Sequence, residues 1–137
     1  MEPLIAIVDD DKAVRDALQR MLRSHGFTAD VFASAEQFLK STDLSAASCL
    51  IVDVRMPGMT GIELHDYLKS QGFRVPTILI TALPTSGERS RAIALGVSSY
   101  LAKPLGEQIL LDTVREALEN GGPVDNTSAT ERGLPRI

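Results

Sequence analysis

The sequence predicts an α/β domain in which a five-stranded parallel sheet is covered by helices on both faces. Three observations predict it. Short apolar, β-branched runs alternate five times with stretches of helical period; each run stops abruptly at a polar residue or a turn; and 137 residues, 44% hydrophobic and 23% charged, suffice for one core without disulfides or structural metals. Parallel neighbours require crossovers, and right-handed crossovers place helices on both sides of a sheet.

Leu4-Ile5-Ala6-Ile7-Val8 is the first run, ending at Asp9-Asp10-Asp11: a strand buried on both faces that then emerges into water. Val14, Leu18, Met21 and Leu22 follow at helical spacing, with Asp11 as the N-cap and Gly26 as the stop. The second unit is fainter, with a strand over residues 28–32 and Ser34 capping a helix through Phe38 and Leu39. Residues 49–52 form the third strand, ending at Asp53, and Ile62, Leu64 and Leu68 place a helix after Thr60 that stops at Gly72. The fourth strand, residues 76–80, ends at Thr81 and precedes a helix through Ala92, Ile93 and Leu95 to Gly96. A short fifth strand, residues 98–101, leads to Lys103-Pro104, and Ile109, Leu110, Val114 and Leu118 mark a last helix before Gly121-Gly122-Pro123. The domain therefore spans residues 1–120, and residues 121–137, polar and without period, read as a flexible linker or C-terminal tail.

Composition excludes several functions. Fourteen Lys and Arg against eighteen Asp and Glu leave a formal charge of −4, the wrong sign for neutralising phosphate backbones, and 4% aromatics without Trp offer little to stack on bases. Direct nucleic-acid binding by this domain is not expected. The single cysteine, Cys49, lies in an apolar run and reads as a small core residue, which suits a reducing compartment. No apolar stretch approaches the ~20 residues of a membrane span, and Met1-Glu2-Pro3 lacks a basic signal start, so a soluble cytoplasmic chain with no membrane partner is expected.

In an open parallel sheet, ligands bind beyond the carboxyl ends of the strands, near the point where chain order reverses. The first strand ends in Asp9-Asp10, the third in Asp53 and the fourth in Thr81, the fifth is followed by Lys103, and the second ends in the unreactive Phe32-Ala33. In the flavodoxin-like order 2-1-3-4-5 the four polar-ended strands are contiguous. One rim then holds three carboxylates, a hydroxyl and an ammonium. Crowded carboxylates need a cation, and oxygen ligands without His or Cys favour Mg²⁺, Mn²⁺ or Ca²⁺ over zinc, with one or two carboxylates plus waters being how Mg²⁺ is usually held beside a phosphate. Asp53 as nucleophile beside a metal, Lys103 and Thr81 is an arrangement suited to phosphoryl transfer. Taken singly, each of these residues has a plainer reading: a strand-end aspartate as a helix cap, Thr81 as an ordinary hydroxyl, Lys103 as a solvated charge, Tyr100 as a core aromatic.

Four segments in register resemble the receiver domain of bacterial two-component response regulators: Ile7-Val8-Asp9-Asp10-Asp11, Ile51-Val52-Asp53-Val54-Arg55-Met56-Pro57-Gly58-Met59-Thr60-Gly61, Ile80-Thr81-Ala82 and Tyr100-Leu101-Ala102-Lys103-Pro104. The wording after Asp53 is similar to the FixJ-like and NarL-like branch. The resemblance implies that Asp53 accepts a phosphoryl group from a sensor histidine kinase, a phosphotransfer protein or a small donor such as acetyl phosphate. It implies Mg²⁺ on Asp10, Asp53 and the backbone carbonyl of Arg55, with Asp9 acting through water, and Lys103 and Thr81 on the phosphoryl oxygens. Thr81 would swing toward that group and Tyr100 would turn into the vacated space, changing the face of the fourth helix, fifth strand and fifth helix for dimerisation or for control of output, in relatives often transcription. It further implies a cis Lys103-Pro104 bond.

Asp11 has no counterpart in the family site and reads as a cap. Leu83 and Pro84 make the loop after Thr81 more apolar than in many relatives, which with Arg55 suggests slow loss of the phosphoryl group; Leu105 replaces a common aromatic. His25 and His65 read as solvated, and Arg89 and Arg91 as a solvated face or a small basic docking patch. Two rival classes are disfavoured. A phosphatase of the haloacid dehalogenase type needs a second aspartate where Arg55 stands, and a flavin-phosphate loop would be repelled by Asp9-Asp10-Asp11. A receiver that no longer signals by phosphate stays open, as does the question of whether an output domain follows.

Overall fold

The computed structural model describes residues 3–41 and 44–120. The expected linker at residues 121–137 lies outside them. Five parallel strands, β1 (Leu4–Val8), β2 (Thr28–Phe32), β3 (Ala47–Asp53), β4 (Thr77–Thr81) and β5 (Ser99–Ala102), form one sheet in the order β2-β1-β3-β4-β5. Between them run α1 (Lys12–Ser24), α2 (Ala35–Leu39), α3 (Gly61–Ser70), α4 (Ser86–Ala94) and, after β5, α5 (Glu107–Glu119). The predicted doubly wound order is the observed one.

The alternation of side chains along each strand divides the core in two. Ile5, Ile7, Cys49, Ile51, Ile78 and Ile80 face one way, against Leu18 and Leu22 of α1 and Leu110, Leu111 and Val114 of α5. Ala6, Val8, Leu50, Val52 and Leu79 face the other, against Phe38 of α2, Leu64 and Leu68 of α3 and Ala92 of α4. Cys49 is fully buried, and burial pushes its thiol up to about 12, so it is an inert packing group.

Local signals explain the helix starts. Asp11 caps α1 by accepting from Ala13 N at 2.9 Å, and Ser34 caps α2 by accepting from Gln37 N at 3.0 Å. Thr60 and Thr85 cap α3 and α4 in the same way. Strands β4 and β5 each run one residue later than expected, and three further features depart from the sequence reading. β3 begins at Ala47 rather than residue 49, because Ser48 interrupts the apolar run yet points its hydroxyl at Leu4 N, 3.3 Å away. A 3-10 turn at Leu44–Ala46 had no sequence signal. His65 is not solvated but 4% exposed, its Nε2 donating to Leu95 O at 3.0 Å and its Nδ1 lying 3.1 Å from Thr77 Oγ1. His25 stays exposed, with its Nε2 2.6 Å from Glu107 Oε2.

Candidate functional site

Register builds the site. β1 and β3 are neighbours paired Val8 to Val52, so their next residues, Asp9 and Asp53, emerge side by side. β4 pairs with β3 through Asp53 and Ile80, and with β5 through Thr81 and Ala102, which brings Thr81 and Lys103 to the same edge. Gly61 allows α3 to start directly beneath Asp53: a Cβ there would lie 2.5 Å from the Asp53 carbonyl oxygen.

One carboxylate oxygen from each of Asp9, Asp10 and Asp53 lies within 4.8 Å of the other two. Lys103 Nζ sits 2.9 Å from Asp9 Oδ2 and 3.4 Å from Asp53 Oδ2. Asp9 and Thr81 are fully buried and Asp53 is 6% exposed, while Asp10 stands at the open rim. Asp9 Oδ1 accepts from Asp11 N at 2.9 Å, and Thr81 Oγ1 accepts from Leu83 N at 3.1 Å. The Lys103–Pro104 bond is cis, as the resemblance implied.

Burial, and then the charge of Asp9, raises the Asp53 pKa above the usual carboxylate value, with Lys103 working against the rise. Burial works against the Lys103 ammonium, but its close contact with the Asp9 carboxylate and the charges of Asp9 and Asp53 more than offset this and hold its pKa up. The donor set fits a hard divalent cation. It is all oxygen, it gathers more negative charge than one lysine balances, and Asp9 Oδ2 is buried with an ion-pair contact but no hydrogen bond among the described residues.

Every residue expected at the rim is there. Tyr100 stands behind it, 2% exposed and already turned inward: its hydroxyl accepts from Thr85 N at 3.1 Å and donates to Glu88 Oε1 at 2.5 Å. Burial, and next that bond to Glu88, raises the tyrosine pKa. The Arg55 side chain reaches sideways from the loop after Asp53, with Nη2 3.2 Å from Leu83 O and 3.3 Å from Glu88 Oε2. Arg89 is not merely solvated, for its guanidinium carbon lies 5.0 Å from the centre of the Tyr100 ring. Glu88 and the Arg89 contact were missed by sequence reasoning. Glu88 carried a signal, being the fourth residue of Thr85-Ser86-Gly87-Glu88, but that pattern reads as a helix cap.

Three carboxylates and a lysine at the carboxyl edge of a doubly wound sheet narrow the class of domain, and comparison with known proteins makes it definite. Residues 5–115 match the model of the response regulator receiver domain, and the chain belongs to that family. It is 40% identical over 116 residues to the response regulator protein TodT of Pseudomonas putida, covering 85% of this chain and 51% of that protein. It is 32% identical over 130 residues to the transcriptional regulatory protein FixJ of Bradyrhizobium diazoefficiens, covering 95% of this chain and 63% of FixJ. The solved structure of the response regulator StyR superposes with a TM-score of 0.79 at 35% identity, covering 99% of this chain and 69% of that one. The chain spans about half the length of curated relatives such as TodT. It is a receiver domain of two-component response regulators, and among its described residues no helix is long and apolar enough to cross a membrane.

Proposed function

We propose that Asp53 is the phosphoacceptor and that the domain takes its phosphoryl group from a sensor histidine kinase or phosphotransfer protein. The observation that carries this is Lys103 Nζ set between Asp9 and Asp53, 2.9 and 3.4 Å away, at the edge where three carboxylates meet. The Asp53 carboxylate attacks phosphorus as the bond to the donor nitrogen breaks, and an acyl phosphate remains. Lys103 pairs with the transferred oxygens, and the Thr81 hydroxyl, released from Leu83 N, hydrogen-bonds to them. Asp10, Asp53 and the Arg55 carbonyl would hold Mg²⁺ or Mn²⁺, with Asp9 acting through water; when bound, the ion screens the charge gathering on the phosphoryl oxygens. Water admitted to the same site attacks the phosphorus as its bond to the Asp53 oxygen breaks, inorganic phosphate leaves, and Asp53 is a carboxylate again.

Thr81 and Tyr100 are the switch residues in this reading, and the face of α4, β5 and α5 is the output surface, for homodimerisation or for control of transcription by a longer regulator. Exposed Ile93 and Ile109 lie on α4 and α5 and supply that surface with apolar contacts. The domain itself contacts neither nucleic acid nor membrane and works in the cytoplasm, a place in keeping with its formal charge of −4 and its buried thiol.

Acetyl phosphate with Mg²⁺, followed by intact-mass analysis, tests the reading. The wild-type chain is expected to gain one phosphoryl group, and Asp53→Ala none. An unchanged gain in the variant would move the acceptor elsewhere, and no gain in either would refute phosphoacceptance. Size-exclusion elution with beryllofluoride and Mg²⁺ reports dimerisation separately.

A further inference from the structure

The first turn of α4 holds a hydrogen-bond chain that a helix start does not ordinarily contain. Thr85 caps the helix, its Oγ1 accepting from Glu88 N at 3.1 Å. In a capping box the glutamate at that place accepts the N-cap residue's own N–H, as Glu63 accepts from Thr60 N at 2.9 Å at the start of α3. At α4 the Thr85 N–H donates to the Tyr100 hydroxyl instead, at 3.1 Å, and that hydroxyl donates to Glu88 Oε1 at 2.5 Å. A side chain from the adjoining strand is thus inserted between two groups that otherwise bond to each other. Glu88 is 8% exposed, and its other oxygen lies 3.3 Å from Arg55 Nη2, which supplies the counter-charge its burial requires.

We infer that Glu88 is a positioning residue for Tyr100, and that the start of α4 has two self-consistent arrangements. In one, seen here, Tyr100 is inserted. In the other it is withdrawn, and the Glu88 carboxylate closes on the Thr85 N–H as Glu63 does on Thr60. Both arrangements satisfy the Thr85 donor, so the tyrosine leaves without orphaning a backbone group. Arg55, bonded to Leu83 O at 3.2 Å as well as paired with Glu88, connects this element to the loop that lines the acceptor site. The inference rests on the reading of Tyr100 as a switch residue and names what holds it in place.

The chain has two tyrosines, so 3-fluorotyrosine labelling yields two fluorine resonances, with exposed Tyr67 as the internal reference. Broadening by a soluble gadolinium chelate is measured on the unphosphorylated full chain. In wild type, Tyr100 is expected to be shielded relative to Tyr67. Glu88→Ala should lower the inserted-to-withdrawn ratio about tenfold, because the buried Tyr100 hydroxyl loses an acceptor that water does not replace, whereas the exposed Thr85 gives its N–H to water in the withdrawn arrangement, and Glu88→Gln, which keeps an acceptor oxygen, should restore most of the shielding. Tyr100 as protected in Glu88→Ala as in wild type would overturn the positioning role. Amide exchange at Thr85 tests the second arrangement: Tyr100→Phe should leave the amide protected because Glu88 closes on it, and adding Glu88→Ala should speed exchange about tenfold. An amide already fast in Tyr100→Phe would overturn the closed box, and this single variant decides the matter even if Glu88→Ala does not fold. Failure of Asp53 to gain mass would sink the phosphoacceptor reading alone, since both measurements here are made without phosphate.

Discussion

Helices α3 and α4 open on the same pattern, Thr60-Gly61-Ile62-Glu63 and Thr85-Ser86-Gly87-Glu88, and use it differently. At α3 the box closes on itself, Thr60 Oγ1 accepting from Glu63 N and Glu63 Oε1 from Thr60 N. At α4 only the threonine half forms, and the glutamate turns inward to Tyr100 and Arg55. The difference lies in what stands nearby. Glu63 is exposed, whereas Glu88 is buried beside a strand that offers it a hydroxyl and a loop that offers it a guanidinium. A local motif states which bonds are available, and the neighbours decide which are made. The first helix start is accordingly a fixed support for the acceptor loop, and the second a movable one.

The glycines of these two turns offer the sharpest way to break the contrast. Gly61→Ala sets a Cβ 2.5 Å from the Asp53 carbonyl oxygen and 3.1 Å from its carbon, both backbone atoms, so α3 must shift. A loss of about 3 kcal/mol is expected, from overpacking, read as a lowered urea midpoint. A midpoint within error of wild type would show that α3 is not locked beneath Asp53.

The middle of α3 is joined to the far end of α4 by His65, which donates to Leu95 O. Burial, first, holds its imidazole below the ordinary value of 6.5. The unfolded chain therefore takes up the proton first: this contribution is complete above the unfolded pKa and is lost as pH falls below it. Urea midpoints measured from neutral pH downward should fall more steeply for wild type than for His65→Gln. Parallel curves would remove histidine from the account.

The smallest effect is expected at Gly87, in the first turn of α4. A Cβ there meets nothing within 4 Å among the described residues, so Gly87→Ala should raise stability by roughly 0.4–1 kcal/mol through the unfolded chain's lost freedom. A destabilisation of similar size would mean that the turn needs glycine's freedom to move, and would sharpen its reading as the mobile start.

Much of this molecule was legible in one dimension. Apolar runs such as Leu4–Val8 name strands buried on both faces, and Asp11, Ser34 and Thr60 announce helix starts because a cap is a contact between residues two or three apart. The rim was legible for a related reason: once strand order is known, each strand's last residue has one place to go, so Asp9, Asp53, Thr81 and Lys103 could be assigned before any distance was measured. Tyr100 was legible as a residue near the site, but not as the hydroxyl inside a helix cap.

Sequence by itself determined the periods, the stops and the chemistry at each strand's end, since these depend on neighbours along the chain. Only the tertiary structure decided that Glu88 abandons its own helix for Tyr100, that Arg55 bridges two loops, and that His65 is buried between α3 and the end of α4. Those choices pair groups between 12 and 33 residues apart, where a polar atom takes whichever partner the packed fold brings to it once water is excluded.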